Sequence, residues 1–262
     1  RFESFEHFIE KGDWDLFFGV FMTTDRVNHF LYGDYQQKGR YFREFLEFYR
    51  ILDGYIGQLK ELLAEDTTMI IASDHGFTEL KYEFHANEWL RRMGWIDYGK
   101  NRKNSLEDVS SESRGYSLIP GRFYINLEDR ELDGKIKLED YENVREELRE
   151  MLLGIEGPEG EKVMKSVEIN EDIFEGDQME IAPDLVALPN DGFDLKAGFG
   201  EKEDVFGKGP RNGMHTFENA SLIIDRPGVS IEGSNLYNIT PTILTLMDIK
   251  YDPSIFDGES LI

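Results

Sequence analysis

Thr68-Met69-Ile70-Ile71-Ala72-Ser73-Asp74-His75-Gly76-Phe77 is the stretch from which the fold can be predicted. Its apolar run ends abruptly at an acid, an imidazole and a glycine, which predicts a buried strand followed by a tight turn. Ligands of open α/β sheets bind at the carboxyl ends of the strands. Because carboxylate and neutral imidazole suit a divalent metal such as zinc, Asp74 and His75 are candidate metal ligands. Alternatively, Asp74 caps the next segment and His75 is an ordinary turn residue, and this stretch alone does not distinguish the two interpretations.

A second candidate pair follows the apolar run of residues 14–22, which we predict to be a strand buried on both faces. Asp25 and His29 are four residues apart, so their side chains share one face if the segment is helical. From about residue 36 to residue 64, apolar residues recur at three- and four-residue steps, which predicts an amphipathic helix. The order strand, helix, strand indicates a βαβ unit with neighbouring parallel strands.

A third histidine, His215, precedes the apolar run of residues 220–224, another strand candidate. Three of the five histidines therefore lie beside predicted strand ends or in a glycine-rich approach to one. His85 stands alone, and a lone histidine is more often structural or exposed than a ligand. Asp and His ligands can hold two divalent ions, and a pair about 3.5–4 Å apart is usual in phosphoryl chemistry. The spacing predicts a dinuclear metal site and leaves the substrate open.

Composition limits the classes of function. The 262 residues, 40% of them hydrophobic, permit one large domain or a core with an appendage. Acids outnumber bases 53 to 29, and a net charge of −24 disfavours binding to nucleic acid or anionic membranes. The chain has no cysteine, which excludes disulfides and thiolate metal sites and favours a cytoplasmic setting. No apolar run approaches the about 20 residues of a membrane span.

Five motifs in order resemble the alkaline phosphatase superfamily. They are Asp25-Arg26-Val27-Asn28-His29, Ser73-Asp74-His75-Gly76, Gly213-Met214-His215, Ile239-Thr240-Pro241-Thr242-Ile243-Leu244 and Asp257-Gly258. The branch that they resemble is the type I phosphodiesterases and nucleotide pyrophosphatases, including predicted phosphohydrolase/phosphomutase proteins of archaea and bacteria. The resemblance spans residues 13 to 261, weakly in the middle. It implies one α/β domain over residues 1–262, with a mostly parallel sheet flanked by helices. Residues 80–213 would form an inserted, cap-like region with a glycine-rich loop.

The resemblance also implies the metal ligands. One ion would be held by Asp25, His29 and His215, and the other by Asp74 and His75 with an upstream Asp and a nucleophilic Thr or Ser. We expect two divalent ions, zinc first, with manganese or iron as alternatives. In the family, the nucleophile attacks phosphorus in line, and water hydrolyses the resulting phospho-enzyme.

The chain departs from the family pattern at the nucleophile. The upstream Asp and the nucleophile belong well before the first motif, but only 24 residues precede Asp25. We assign none of Thr23, Thr24 and Thr216 to that role, so the catalytic nucleophile is unknown. Because residue 1 is Arg rather than Met, we also expect a truncated chain that resembles the C-terminal portion of such an enzyme and is weakly active alone.

The predicted function is that of a metal-dependent phosphohydrolase acting on phosphodiester, nucleotide pyrophosphate or phosphomonoester bonds. The alternatives are a phosphomutase of the same superfamily and a catalytically inactive metal- or ligand-binding domain. We expect a small-molecule phosphate ester or nucleotide as partner, and neither nucleic acid nor a membrane. The leaving group and the oligomeric state are not predicted from the sequence.

Overall fold

A computed structural model of the protein describes residues 2–99 and 105–262. The chain forms two compact units. The terminal unit comprises Arg1–Thr78 and Gly213–Ile262, and the central unit comprises Glu79–Asn212. All five predicted metal ligands belong to the terminal unit.

The described chain contains α-helices and short strands. The helices are α1 (Phe2–Lys11), α2 (Thr23–Gln36), α3 (Phe42–Leu62), α4 (Ala86–Arg92), α5 (Tyr141–Leu153), α6 (Asn170–Ile173) and α7 (Ile239–Leu246). The strands are β1 (Ile70–Ala72), β2 (Gly76–Glu79), β3 (Tyr82–His85), β4 (Gly115–Ile119), β5 (Arg122–Ile125), β6 (Met164–Ile169), β7 (Leu185–Pro189), β8 (Phe193–Lys196), β9 (Phe206–Gly207), β10 (Gly213–Thr216) and β11 (Leu222–Ile224). None of the helices in residues 2–99 and 105–262 combines the length and the apolar character that crossing a membrane requires.

In the terminal unit, α3 coincides with the predicted amphipathic helix and packs against α2 through aromatic rings. Phe45, which is buried, stacks on Tyr35 with 4.8 Å between ring centroids. The buried Asn28 of α2 donates a hydrogen bond of 2.7 Å from Nδ2 to the hydroxyl of Tyr49 on α3. These contacts fix α2, which carries Asp25 and His29, against the longest helix of the unit.

The predicted mostly parallel sheet is wrong. In the terminal unit, β1 pairs antiparallel with β11, with Ile70 opposite Ile224, and β2 pairs with β10 in a second two-stranded sheet. Both sheets join segments from opposite ends of the sequence. No βαβ crossover between residues 14–22 and β1 is seen in the described part of the chain, because residues 14–22 belong to none of its strands.

The apolar run of residues 14–22 was predicted to be a buried strand, and this prediction is wrong. Phe17 and Phe21 contact the ring of Phe5 on α1 at centroid distances of 5.7 and 4.9 Å. Leu16 and Phe18 are 52% and 81% exposed. Because nearly every residue of the run is apolar, its pattern cannot distinguish a strand buried on both faces from an irregular segment that packs on one side.

The central unit contains a three-stranded sheet in the order β8-β3-β9 and a four-stranded sheet in the order β4-β5-β7-β6. The pairing of β3 with β8 is parallel, whereas β3–β9 and the neighbouring pairs of the four-stranded sheet are antiparallel. Helices α4 and α5 add apolar side chains to these sheets in one core. Its largest fully buried side chains include Trp95, Phe84, Phe123, Phe193 and Leu148.

A buried carboxylate connects elements of the central unit. The side chain of Asp184 is fully buried and accepts hydrogen bonds from the Arg130 guanidinium at 2.7 and 2.8 Å. It also accepts from the Tyr141 hydroxyl and the Ile125 amide, each at 2.6 Å. Because both carboxylate oxygens accept hydrogen bonds and face a guanidinium, the cost of burying the Asp184 charge is offset. These hydrogen bonds also connect β5 to α5 and to the residue that precedes β7.

Candidate metal centre

Three separate segments of the terminal unit bring imidazole and carboxylate groups together. Asp25 lies in the first turn of α2, where the partial positive charge of the helix terminus favours a carboxylate. His29 follows one turn later on the same helix face. His75 immediately precedes β2, and His215 lies on β10, which pairs with β2. The pairing of these two strands therefore positions two histidines next to the N-terminal turn of α2.

The imidazoles converge on one carboxylate oxygen. Oδ1 of Asp25 lies 3.1 Å from Nε2 of His215, 3.5 Å from Nε2 of His29 and 3.9 Å from Nε2 of His75. The His75 and His215 rings stack at 3.6 Å, and the His29 and His215 centroids are 4.7 Å apart. The ligand atoms of Asp25, His75 and His215 all lie within 4.8 Å of one another.

Backbone carbonyls orient two of the rings. Nδ1 of His29 lies 3.0 Å from the carbonyl oxygen of Gly213, and Nδ1 of His75 lies 3.1 Å from that of Gly76. A carbonyl oxygen only accepts, so each Nδ1 carries the proton and donates. In the neutral ring, Nε2 then keeps its lone pair, which is the form that binds a metal.

Burial favours the neutral form of the third ring. It lowers the pKa of His215 below its usual value, and the nearby His75 lowers it further. The hydrogen bond to Asp25 opposes these effects. A neutral imidazole at physiological pH can act as a metal ligand without first losing a proton.

Asp74 lies at the margin of this group. Its side chain is 80% exposed, and its Oδ1 is 3.5 Å from Nε2 of His75. The structure thus brings Asp25, His29, His75 and His215 into one cluster, with Asp74 beside His75. Which ligands belong to which ion stays a prediction. His85, at the end of β3, belongs to the central unit, where burial lowers its pKa.

The sequence alone does not identify the groups that surround the ligands. Phe77 contacts the rings of His29, His75 and His215. The available signal was proximity along the chain, because Phe77 lies two residues after His75. The Gly213 carbonyl was not detectable, because no sequence pattern shows which backbone oxygen a distant histidine will meet.

The donor set suits a divalent metal. Imidazole and carboxylate ligands bind zinc, manganese or iron. Ligand atoms that share one zinc ion at about 2.0–2.2 Å lie within about 4.4 Å of each other. Nε2 of His215, of His29 and of His75 lies 3.1, 3.5 and 3.9 Å from Oδ1 of Asp25, each within that limit. These residues therefore fit a metal site.

Comparison with models of protein families matches residues 2–218 to the type I phosphodiesterase / nucleotide pyrophosphatase family. The chain belongs to this family, which is part of the alkaline phosphatase superfamily, and the resemblance seen in the motifs is confirmed. The matched range includes all five predicted metal ligands. A search among curated proteins gave no match. The family implies a hydrolase of the phosphodiesterase or pyrophosphatase type, acting on phosphate esters and typically binding metals.

Proposed function

We propose that this chain carries the metal site of a phosphohydrolase that acts on phosphodiester, nucleotide pyrophosphate or phosphomonoester bonds of small molecules. The observation that supports it most is the convergence of three imidazoles on one carboxylate, since Nε2 of His215, His29 and His75 lies 3.1 to 3.9 Å from Oδ1 of Asp25. In a hydrolase of this family, such a donor set would bind the divalent ions that assist phosphoryl transfer.

In this proposal, Asp25, His29 and His215 hold one ion, and Asp74 and His75 contribute to a second. Zinc is our first expectation, with manganese or iron as alternatives. When bound, such ions polarise a phosphoryl oxygen and activate the attacking oxygen. Asp25 supplies the negative charge that three neutral imidazoles lack. His29 and His75 present Nε2 because their Nδ1 protons are held by backbone carbonyls.

Charge supports a small substrate. The net charge of −24 repels an extended polyanion such as nucleic acid, because many phosphates would face an acidic surface. A single phosphate ester needs only local neutralisation, which divalent ions at the Asp25 cluster would provide.

The test is metal content per chain, measured by elemental analysis after loading with zinc or manganese and desalting. We expect bound metal in the wild-type chain and its loss in Asp25→Ala. Asp53→Ala is the matched control, because Asp53 is an exposed acid on α3. Metal retention in Asp53→Ala together with loss in Asp25→Ala supports the site.

Equal retention in the two variants, or no metal in the wild-type chain, would overturn the proposed function. With the metal-loaded chain, bis(p-nitrophenyl) phosphate and p-nitrophenyl phosphate then distinguish diester from monoester hydrolysis.

A further inference from the structure

We propose that Phe77 is a positioning residue that holds the three clustered histidines in the arrangement that receives the metal. This inference rests on the proposed function, because the positioning matters only if these histidines bind metal. Phe77 has no group that can ligate an ion, so its effect would be on metal affinity through the ligands that it contacts.

The contacts are specific to this ring. The centroid of Phe77 lies 5.1 Å from that of His29 with an interplanar angle of 78° and 5.1 Å from that of His215 at 81°. The centroid of His75 lies at 5.5 Å, tilted by 58°. Two contacts are thus edge-to-face, the geometry that aromatic pairs favour. The three histidines come from three different chain segments, and Phe77 is a side chain that all of them share.

Phe77 also packs against an aromatic residue of α2. Tyr32 of α2 lies 6.1 Å from it between centroids, and Tyr32 in turn contacts Phe45 at 6.3 Å. Phe45 is buried on α3. A continuous line of aromatic rings therefore runs from α3 to the histidines, so Phe77 has little freedom to move away.

The backbone around Phe77 is equally constrained. Gly76 is buried, and a Cβ built there would lie 2.1 Å from the carbonyl oxygen of Glu218 and 2.5 Å from Oγ1 of Thr216. This close approach places β2 against the chain that follows His215. Consequently, the ring of Phe77 is fixed relative to His75 on its own segment and to His215 on the paired strand.

A fixed aromatic wall should favour metal binding by ordering the ligands in advance. An imidazole packed against a rigid ring has fewer accessible rotamers, so less conformational entropy is lost when the ion binds. Residues that orient metal ligands through hydrogen bonds typically contribute about 10–100-fold to metal affinity, and we expect ring packing to contribute at the lower end of that range. If Phe77 were only a packing residue, its removal would lower stability and leave metal affinity unchanged.

The experiment compares Phe77→Leu with Phe42→Leu by calorimetric titration of Zn²⁺ or Mn²⁺ into the full chain. Both phenylalanines are half-buried, and in the described structure the ring of Phe42 contacts Tyr35 at 6.0 Å instead of a histidine. We expect Phe77→Leu to bind about tenfold more weakly than wild type and Phe42→Leu to stay within about twofold. The visible spectrum of bound Co²⁺ should change in Phe77→Leu alone.

Wild-type affinity in Phe77→Leu, with an unfolding midpoint lowered as in Phe42→Leu, would overturn this inference and leave the proposed function intact. No metal binding by the wild-type chain would overturn both. If Phe77→Leu does not fold, Phe77→Tyr and Phe77→Met provide the comparison. The ring-retaining Tyr variant should bind like wild type and the Met variant about tenfold more weakly, whereas equal affinities would contradict the proposal.

Discussion

Gly213 allows the backbone of β10 to approach α2 closely enough for its carbonyl to accept the hydrogen bond from His29. A Cβ at this position would lie 2.2 Å from the carbonyl oxygen of Asn28 and 2.8 Å from Cβ of Tyr32. Neither obstacle is the flexible end of a side chain, so the strand or the helix would have to shift. A glycine is therefore required at position 213 because β10 approaches α2 too closely to leave room for a side chain.

For Gly213→Ala, we expect a loss of about 1–3 kcal/mol in the free energy of unfolding, because the added methyl group overpacks this contact. Urea unfolding measures it. Gly54→Ala is the matched control, since Gly54 lies within α3 and nothing is within 4 Å of its added Cβ. That helical substitution should be neutral or stabilise by up to about 1 kcal/mol. Equal effects of the two substitutions would contradict the close-approach argument.

At the scale of elements, the short helix α4 is linked to the chain between β8 and β9 by one buried acid. The fully buried carboxylate of Glu88 accepts from Arg91 at 2.9 Å and Arg92 at 2.7 Å on its own helix. It also accepts from the Lys202 amide at 3.3 Å, and the Gly200 amide donates to the Tyr98 hydroxyl at 3.0 Å. The chain between β8 and β9 is therefore held against α4.

Hydrogen bonding from Arg91 lowers the pKa of Glu88 from about 4.5 to about 2. Because the pKa in the folded protein is below the unfolded value, the ionised group stabilises the fold above about pH 4.5. This contribution is lost as the pH falls from about 4.5 through about 2. We expect wild type to exceed Glu88→Gln in unfolding free energy at pH 6, and the difference to shrink at pH 3.

Urea unfolding at the two pH values checks this, with Glu112→Gln as control. Glu112 forms a 2.7 Å ion pair with Lys135 and is 72% exposed, so its substitution should matter little at either pH. A stability difference between wild type and Glu88→Gln that is the same at pH 6 and pH 3 would show that the ionised form is not what stabilises α4.

At the scale of the whole molecule, the two units differ in how much apolar surface they bury. The clustered hydrophobic core lies in the central unit. Among the described residues of the terminal unit, the buried hydrophobic side chains are Phe45, Leu59 and Met214. Because burial of apolar area is the dominant favourable term in folding, ligand binding should contribute relatively more to the stability of the terminal unit.

We therefore expect saturating zinc to increase amide hydrogen-exchange protection in α2 and β10, with little change in α5. A ligand at 100 times its Kd stabilises the state that binds it by about 2.7 kcal/mol, which is a large effect on a sparsely packed unit. Exchange measured by mass spectrometry, with and without metal, tests this. Asp25→Ala should abolish the increase, and a uniform change across both units would count against a site confined to the terminal unit.

The family, the amphipathic helix α3 and the candidate metal ligands could all be predicted from the sequence. These follow from short motifs in a defined order and from periodicity within a single segment, both of which are local properties. Asp25 and His29 share a helix face because they are four residues apart, whatever the rest of the chain does.

The strand partners and the neighbours of the ligands could not be predicted from the sequence and depend on the folded structure. Ile70 pairs with Ile224, which is distant in sequence. An apolar run does not specify which other strand it will pair with, or whether the pairing will be parallel or antiparallel. The same limit hid the Gly213 carbonyl that orients His29 and the convergence of His75 with Asp25 and His215. Such contacts depend on which distant segments come together on folding, and that choice is made by the packing of the whole unit.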